Sequence, residues 1–404
     1  IELYATNGGV YNNLKWQELS TSTSVKDGSS PNGMSKSTLV KKLTIKTKET
    51  KTWYIGVWIS EIDADQRNTD KGRFGGTVTF EVSNGEIATD LVEEKYNSGT
   101  KTQVTTAGGE EITQVVSEGL MQDSFGNIRY YGANPNNYVT FNGESAGWRI
   151  IGVFDTEDEN GNVSKRVKLI RATSIGDYSY DNKPSGVGTS ASSSGSSDWS
   201  DARLMMLLNL GYETTSSLYA YEGSLYWNRK SGTCYDGSSE KTKSCDFTTI
   251  GLTSKAQSQI DKVKYYLGSP RGSGSTYADD YYNSERGTTV PTGHQTTWNG
   301  YIGLMYPSDY AYATDLSFCT KDGYNYDDTN CKSKDWLLGT SSYTRTLSSY
   351  NSGTADTFLV YESGKLYADY GVNFSFPVRP VAYLKSNLKI VNGTGTQSDP
   401  YILE

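Results

Sequence analysis

The chain has 404 residues and a formal net charge of −8, and only 35% of it is hydrophobic even with its 32 tyrosines counted. That length suits two or three domains with lean cores. The acidic balance excludes a basic face for nucleic-acid phosphates. No apolar run reaches the ~20 residues of a membrane-spanning helix.

The first 130 residues read as strands. "STLVKKLTIKTKE" places Leu43 and Ile45 in alternation, "TWYIGVWISEI" places Trp53, Ile55, Val57 and Ile59 on one face, and "FGGTVTFEVSNGE" does the same with Val78, Phe80 and Val82. Alternation broken by turn signals, with no convincing helix, predicts a β-sandwich over 1–125. The acidic link holding Asp63, Asp65 and Asp70 lacks the spacing of a calcium loop and is expected to be a solvated hairpin connection. The opening "IELYATNGGVYNN" puts Ile1 and Leu3 in alternation before any hairpin partner is visible. These two residues are candidate subunit contacts, because a free strand can complete a neighbour's open sheet. A chain that opens on Ile1 is also expected to have lost a leader.

Residues 96–130 are polar and glycine-rich, and the domain boundary is expected there, with a second domain over 126–404. "GWRIIGVFDTEDENGNVSKRVKLI" reads as a hairpin turning at Asn160-Gly161. "PSGVGTSASSSGSS" is a flexible loop. "SDWSDARLMMLLNLG" predicts a helix of about three turns, capped by Ser197 or Asp198. "TSKAQSQIDKVKYYLG" predicts a second, with Ala256, Ile260, Val263 and Leu267 at helical spacing. Short strands follow: "GYIGLMYP", "DTFLVYES", "GKLYADYG" and "SFPVRPVAYL". The fold class is therefore mainly β with an α+β part: a sandwich, then a module with two helices.

Four cysteines fall in two local pairs, Cys234 with Cys245 and Cys319 with Cys331, around polar spacers that each contain Asp-Gly. With no C-x-x-C motif and one histidine, His294, a metal site has little support, and two loop-closing disulfides in an oxidising, extracellular setting are expected. No cofactor or metal is expected.

The segments "GNIRYYGANPNNYVTFNGESAGWRIIGVF", "VKLIRATSIGDYSYDN", "DWSDARLMMLLN", "GSLYWN", "ERGTTV", "IGLMYPSDYAYATDL" and "VRPVAYL" occur in that order. Together they resemble a group of uncharacterised surface proteins of gut Firmicutes, several of them pilin-like. Their C-terminal module is similar to the C-type-lectin fold in its formylglycine-generating-enzyme variety, which variable proteins of diversity-generating retroelements also use. The likeness covers about 125–390. "TWYIGVWI…GGTVTFEV" is similar to β-sandwich regions of secreted Firmicute matrix or filament proteins, and "GTGTQSDPYIL" to a common ending of Gram-positive surface proteins. The resemblance implies that Arg379, in "PVRP", reaches into a polar network beneath the binding face, with Trp148 and Trp199 in the core.

Chemistry finds little to work with. A nucleophile–histidine site must use His294, and no G-x-S-x-G, P-loop or dinucleotide fingerprint occurs. Nothing among the 46 acidic residues singles out a glycosidase pair, and the cysteine pair of the enzyme that shares this fold has no counterpart. No Glu-Pro-Asn or Gln-Pro-Asp motif of calcium-dependent lectins is present, although Asp327–Asn330 could coordinate weakly. Binding is better supported. "GTSSYTRTLSSYNSG" sets Tyr343, Arg345 and Tyr350 in a Ser/Thr/Gly background like that of a paratope, and the ligand-facing residues of the variable proteins come from the corresponding stretch. The expected function is a structural subunit of an extracellular filament or pilus displaying a lectin-like module. The alternatives are a monomeric wall-anchored adhesin or glycan-binding lectin and, remotely, a glycoside hydrolase. Expected partners are identical subunits and a surface protein or glycan.

Overall fold

The computed structural model describes residues 2–7, 17–21, 53–58, 85–182, 195–213, 221–237, 242–271, 275–338, 343–350 and 355–404. The chain divides into two compact units, Ile1–Ser83 and Asn84–Glu404.

In the first unit, β1 (Glu2–Asn7) lies between β2 (Gln17–Thr21) and β3 (Trp53–Trp58) in an antiparallel sheet. Leu3 stands opposite Ser20 on one side and Val57 on the other. The expectation of an unpaired opening strand is thereby corrected, since both edges of β1 are taken up within its own chain. Ile1, the strands expected around Leu43 and Val78 and the link holding Asp63, Asp65 and Asp70 lie outside the described residues.

The compact units divide at 83/84, whereas the sequence reading put the domain boundary at 125/126. Strand β4 (Glu86–Ile87) leads into helix α1 (Ala88–Ser98), which the sequence reading missed. Ala88, Val92 and Tyr96 recur every four residues and are buried, while Asp90 and Lys95 suit the two ends of the helix dipole. The polar stretch after it is a meander, β5 (Thr102–Thr105), β6 (Glu111–Val115), β7 (Leu120–Gln122) and β8 (Ile128–Tyr130), paired in sequence order. It reads as a linker because its strands are short and their loops glycine-rich.

The centre of the unit is β9 (Tyr138–Phe141), β10 (Glu144–Glu157) and β11 (Val163–Arg171). The β10–β11 hairpin turns through Asp158–Asn162. Asp158 accepts the Asn160 and Asn162 N–H groups at 2.8 and 2.9 Å, and Gly161 takes φ +85°. The β7–β8 loop, Asp123 to Asn127, repeats this chemistry with Gly126 at φ +87°. Both loops share the pattern D-x-x-G-N, in which a carboxylate ties down two backbone donors while glycine supplies the left-handed step.

Next come β12 (Asp177–Ser179), α2 (Arg203–Leu208), β13 (Ser231–Tyr235), β14 (Thr242–Asp246), α3 (Ser254–Gln259), β15 (Val263–Tyr266), α4 (Ala278–Glu285), β16 (Thr297–Gly300), β17 (Ile302–Gly303), α5 (Pro307–Ala311) and α6 (Thr329–Lys332). Last are β18 (Tyr343–Ser349), β19 (Thr357–Tyr361), β20 (Leu366–Tyr367), β21 (Ser375–Pro377), β22 (Val381–Tyr383), β23 (Lys389–Asn392) and β24 (Tyr401–Leu403).

Both expected helices are shorter than their periodicity suggested. The first is a single 3-10 turn, Trp199–Asp201, capped by Asp198, then extended Ala202, then α2. The second is capped by Thr253 and ends at extended Ile260. Beyond it Val263 and Tyr265 alternate inward on β15, which pairs with β16. Val263 and Leu267 fit a helical stripe and a strand equally well, and the sheet partner decides between them.

Twelve strands form the main sheet, in the order β4-β23-β24-β9-β10-β8-β7-β6-β5, with β11 joining β10 to β22 and β22 pairing β17. "SFPVRPVAYL" is two strands belonging to two sheets. β21 pairs with β12, and β22 pairs with β11 and β17. Val378-Arg379-Pro380 makes the step between them, where a proline costs no ladder hydrogen bond. Trp148 and Trp199 are buried, edge-on to Phe141 at 5.1 Å and beside Tyr180 at 5.3 Å respectively.

Cys234–Cys245 and Cys319–Cys331 are disulfides, with Cα separations of 5.8 and 4.6 Å. The first staples β13 to β14, and the second ties α6 to the segment after α5. No helix among the described residues is long and apolar enough to cross a membrane. The disulfides agree with an extracellular setting.

Candidate functional site

The most distinctive surface of the second unit grows out of the β18-β19-β20 sheet. Of the stretch expected to be a paratope-like loop, 339–353, the described residues 343–350 are β18 and Tyr350, which corrects the loop reading for that part. Its Thr and Tyr residues favour a pleated strand, and β19 supplies the ladder. Register puts Tyr343 opposite Tyr361, and Leu359 opposite Tyr367, on one face.

Tyr343 and Tyr361 meet edge to face at 4.9 Å, and Tyr370 lies 6.0 and 6.2 Å from them. Phe376, on β21, is 5.2 Å from Tyr343 and 5.3 Å from Tyr370, whose other neighbour is Phe374 at 5.6 Å. Four of these rings are half-buried, and Phe374 is 52% exposed. Carboxylates rim the patch: Glu362 and Asp369 are exposed, and the Tyr361 hydroxyl donates to Asp369. Desolvation, then Tyr370 and these carboxylates, push the Tyr343 phenol above its ordinary value. Desolvation, then Asp356, does the same for Asp369.

Arg345 is fully buried beneath this face, so its expected role as a ligand contact is corrected. It donates to Thr357 Oγ1 at 2.5 Å, to Gly371 O at 3.1 Å and to Phe374 O at 2.8 Å, and its guanidinium lies 4.8 Å from the Phe376 ring. Burial lowers its pKa to about 9. It fixes the backbone turn that presents Phe374. Tyr350 does not join the cluster. It follows the far end of β18, seven residues or about 20 Å along the strand from Tyr343, and packs on Phe358 at 6.2 Å. Of the three residues expected to bind ligand, only Tyr343 is in the patch.

The rings that complete it were missed, although "YESGKLYADYGVNFSF" carries Tyr361, Tyr370, Phe374 and Phe376 within sixteen residues. That aromatic density, on segments too short to bury every ring, was the available signal.

Arg379 is buried, and it donates from Nε to Arg171 O at 2.9 Å and from Nη1 to Leu337 O at 2.8 Å. Burial and then Arg149 lower its pKa to about 10, against the pull of Asp335. Burial raises the Asp335 carboxyl to about 8, although Leu337 and Leu338 N–H groups donate to it. Arg149 is sandwiched between the Tyr138 and Trp336 rings at 4.1 and 4.4 Å.

The other candidates are not gathered into a site. Asp328, in the weakly calcium-like stretch, caps α6 by accepting the Asn330 N–H. His294 sits in the loop between α4 and β16. No group of three or more metal-ligating side chains occurs among the described residues. Comparison with protein-family models, with curated proteins and with solved structures finds no match to the chain.

Proposed function

We propose that the chain is a non-enzymatic, extracellular adhesive protein, whose second unit presents the aromatic face around Tyr370 to a protein or glycan of another surface. The observation that carries this reading is the five-ring cluster of Tyr343, Tyr361, Tyr370, Phe374 and Phe376, four rings half-buried and one exposed, where most other rings among the described residues are buried. Tyrosines give large contact area for few frozen torsions and keep a polar tip for the partner. The Glu362 and Asp369 rim favours a neutral or basic partner over an acidic one. The likeness of 125–390 to the C-type-lectin-like display module supports the same reading, since its ligand-facing stretch corresponds to residues adjoining Tyr343.

The filament reading drew part of its support from an opening strand with no visible partner, and β1 has partners on both sides. A monomeric surface adhesin is accordingly the reading we favour. The test is binding of the labelled full chain to intact cells, wild type against Tyr370→Ser with Phe374→Ser. Loss of binding at unchanged melting temperature supports the proposal, and undiminished binding ends it. Pretreating the cells with protease or with periodate assigns the partner to protein or glycan.

A further inference from the structure

Phe125, Phe318, Tyr324 and Phe374 are the exposed rings among the described residues. Three of them are tied to a cation of the chain itself. Lys334 Nζ lies 4.0 Å over Phe318, and Lys365 Nζ lies 4.7 Å over Tyr324. Phe125 stacks at 4.3 Å on Tyr282, which carries the Arg286 guanidinium 3.3 Å over its ring. Phe374 is the exception. Neither it nor Tyr343, Tyr361 or Tyr370 has a lysine or arginine of the described residues over its ring, and Arg345 reaches Phe376 only from beneath the face.

The carboxylates beside these rings lack a cation as well. Glu362 and Asp369 are exposed, and neither forms an ion pair among the described residues. Asp356 adds to the negative potential at Asp369. Two lysines on adjoining elements are engaged elsewhere. Lys365, three residues after Glu362, is 3.4 Å from Asp327. Lys243 lies 4.5 Å over Tyr178, the residue opposite Phe376 in the β12–β21 ladder, and donates to Asp177 O at 2.8 Å. The negative faces of the rings and the rim carboxylates therefore act together, and one cation satisfies both.

Ring spacing selects the kind of cation. Centroids 4.9 to 6.2 Å apart put the rings in contact with one another, so no slot between two faces is open to an ammonium group. A guanidinium needs only one open face. It is flat and weakly hydrated, and it stacks on a ring while its N–H fork meets a carboxylate. We propose that the patch receives an arginine side chain of a protein partner, its guanidinium flat on the rings around Tyr370 and its N–H groups on Asp369 and Glu362. Such a partner presupposes the adhesive role proposed above, and it is a protein because guanidinium groups are protein side chains and not glycan ones.

The experiment is binding of the labelled full chain to intact cells whose arginines have been blocked with butanedione in borate. Binding should fall at least several-fold and return when the borate is washed out, whereas acetylating the cells' amines should leave it unchanged. Millimolar N-acetylarginine amide should compete, and the neutral isostere N-acetylcitrulline amide at matched ionic strength should not. Asp369→Asn with Glu362→Gln, which keeps every ring, should weaken binding several-fold at unchanged melting temperature. Binding that is lost with Tyr370→Ser and Phe374→Ser but indifferent to butanedione, to N-acetylarginine amide and to the charge variant overturns the arginine partner and leaves the adhesive role standing. So does binding that periodate abolishes and butanedione does not. Binding that survives loss of the two rings, or a wild-type chain that binds no cell, overturns both.

Discussion

Tyr343 and Tyr361 face each other across β18 and β19 with their rings 4.9 Å apart, and this register gathers the remaining rings of the patch around Tyr370. Tyr370 touches four of its neighbours, whereas Phe374 is the most exposed. Removing Phe374 alone should therefore leave stability within about 0.5 kcal/mol of wild type, while partner binding falls at least several-fold. Thermal melts beside cell-binding titrations check this. A large fall in stability would make Phe374 a core residue instead of a contact.

Arg345 is expected to act at one remove. Arg345→Met deletes the donors to Thr357, Gly371 and Phe374, leaving the buried Thr357 acceptor unmet at about 1–3 kcal/mol and the two part-buried carbonyls at less. Stability and binding should fall together, because the turn carrying Phe374 loses its brace. Denaturant unfolding of the variant reads the first effect directly. A variant as stable as wild type would show that Arg345 braces nothing.

The two disulfides close loops of sequence separation 11 and 12. Replacing Cys319 and Cys331 together by alanine should cost about 2–4 kcal/mol. Peptide mapping without reductant should recover Cys234 with Cys245 and Cys319 with Cys331. Free thiols or crossed pairs would contradict the arrangement.

Asp335 sets a pH dependence. Its folded pKa, about 8, lies above the ordinary carboxylate value. The folded chain therefore holds a proton that the unfolded chain releases between about pH 4 and pH 8. Stability should fall as pH rises through that window, with a limiting slope of about 1.4 kcal/mol per pH unit from this group. Asp335→Asn keeps an acceptor for the Leu337 and Leu338 N–H groups and removes the titration. The difference in stability between variant and wild type should grow from pH 4 to pH 8, and a constant difference would place the carboxyl in an ordinary range.

Because β1 is central in its sheet, its amides should be protected from hydrogen exchange in dilute monomer. Deleting residues 1–13 should disrupt the three-stranded sheet. Fast exchange over residues 2–7 would restore the free-strand reading.

Much of this was written in local chemistry. The β10–β11 hairpin followed from apolar strands around D-E-N-G-N, and the cysteine pairs from their spacing, since turns and short loops depend on neighbouring residues alone. Mainly β character followed from alternation. What the sequence could not settle was any matter of partners. Val263 and Leu267 fit two periodicities until β16 paired with β15, and β1 looked free until β2 and β3 flanked it. The stretch 102–130 read as a linker because its strands are only three to five residues long and gain their stability from the sheet they join. The site divided in the same way. Tyr343 stood out by composition, but Arg345, two residues along the same strand, is buried because the 371–376 segment covers it, and the aromatic patch depended on three chain segments meeting. Local propensity acts through neighbours in the chain, whereas strand pairing and burial are decided by contacts between residues far apart in it.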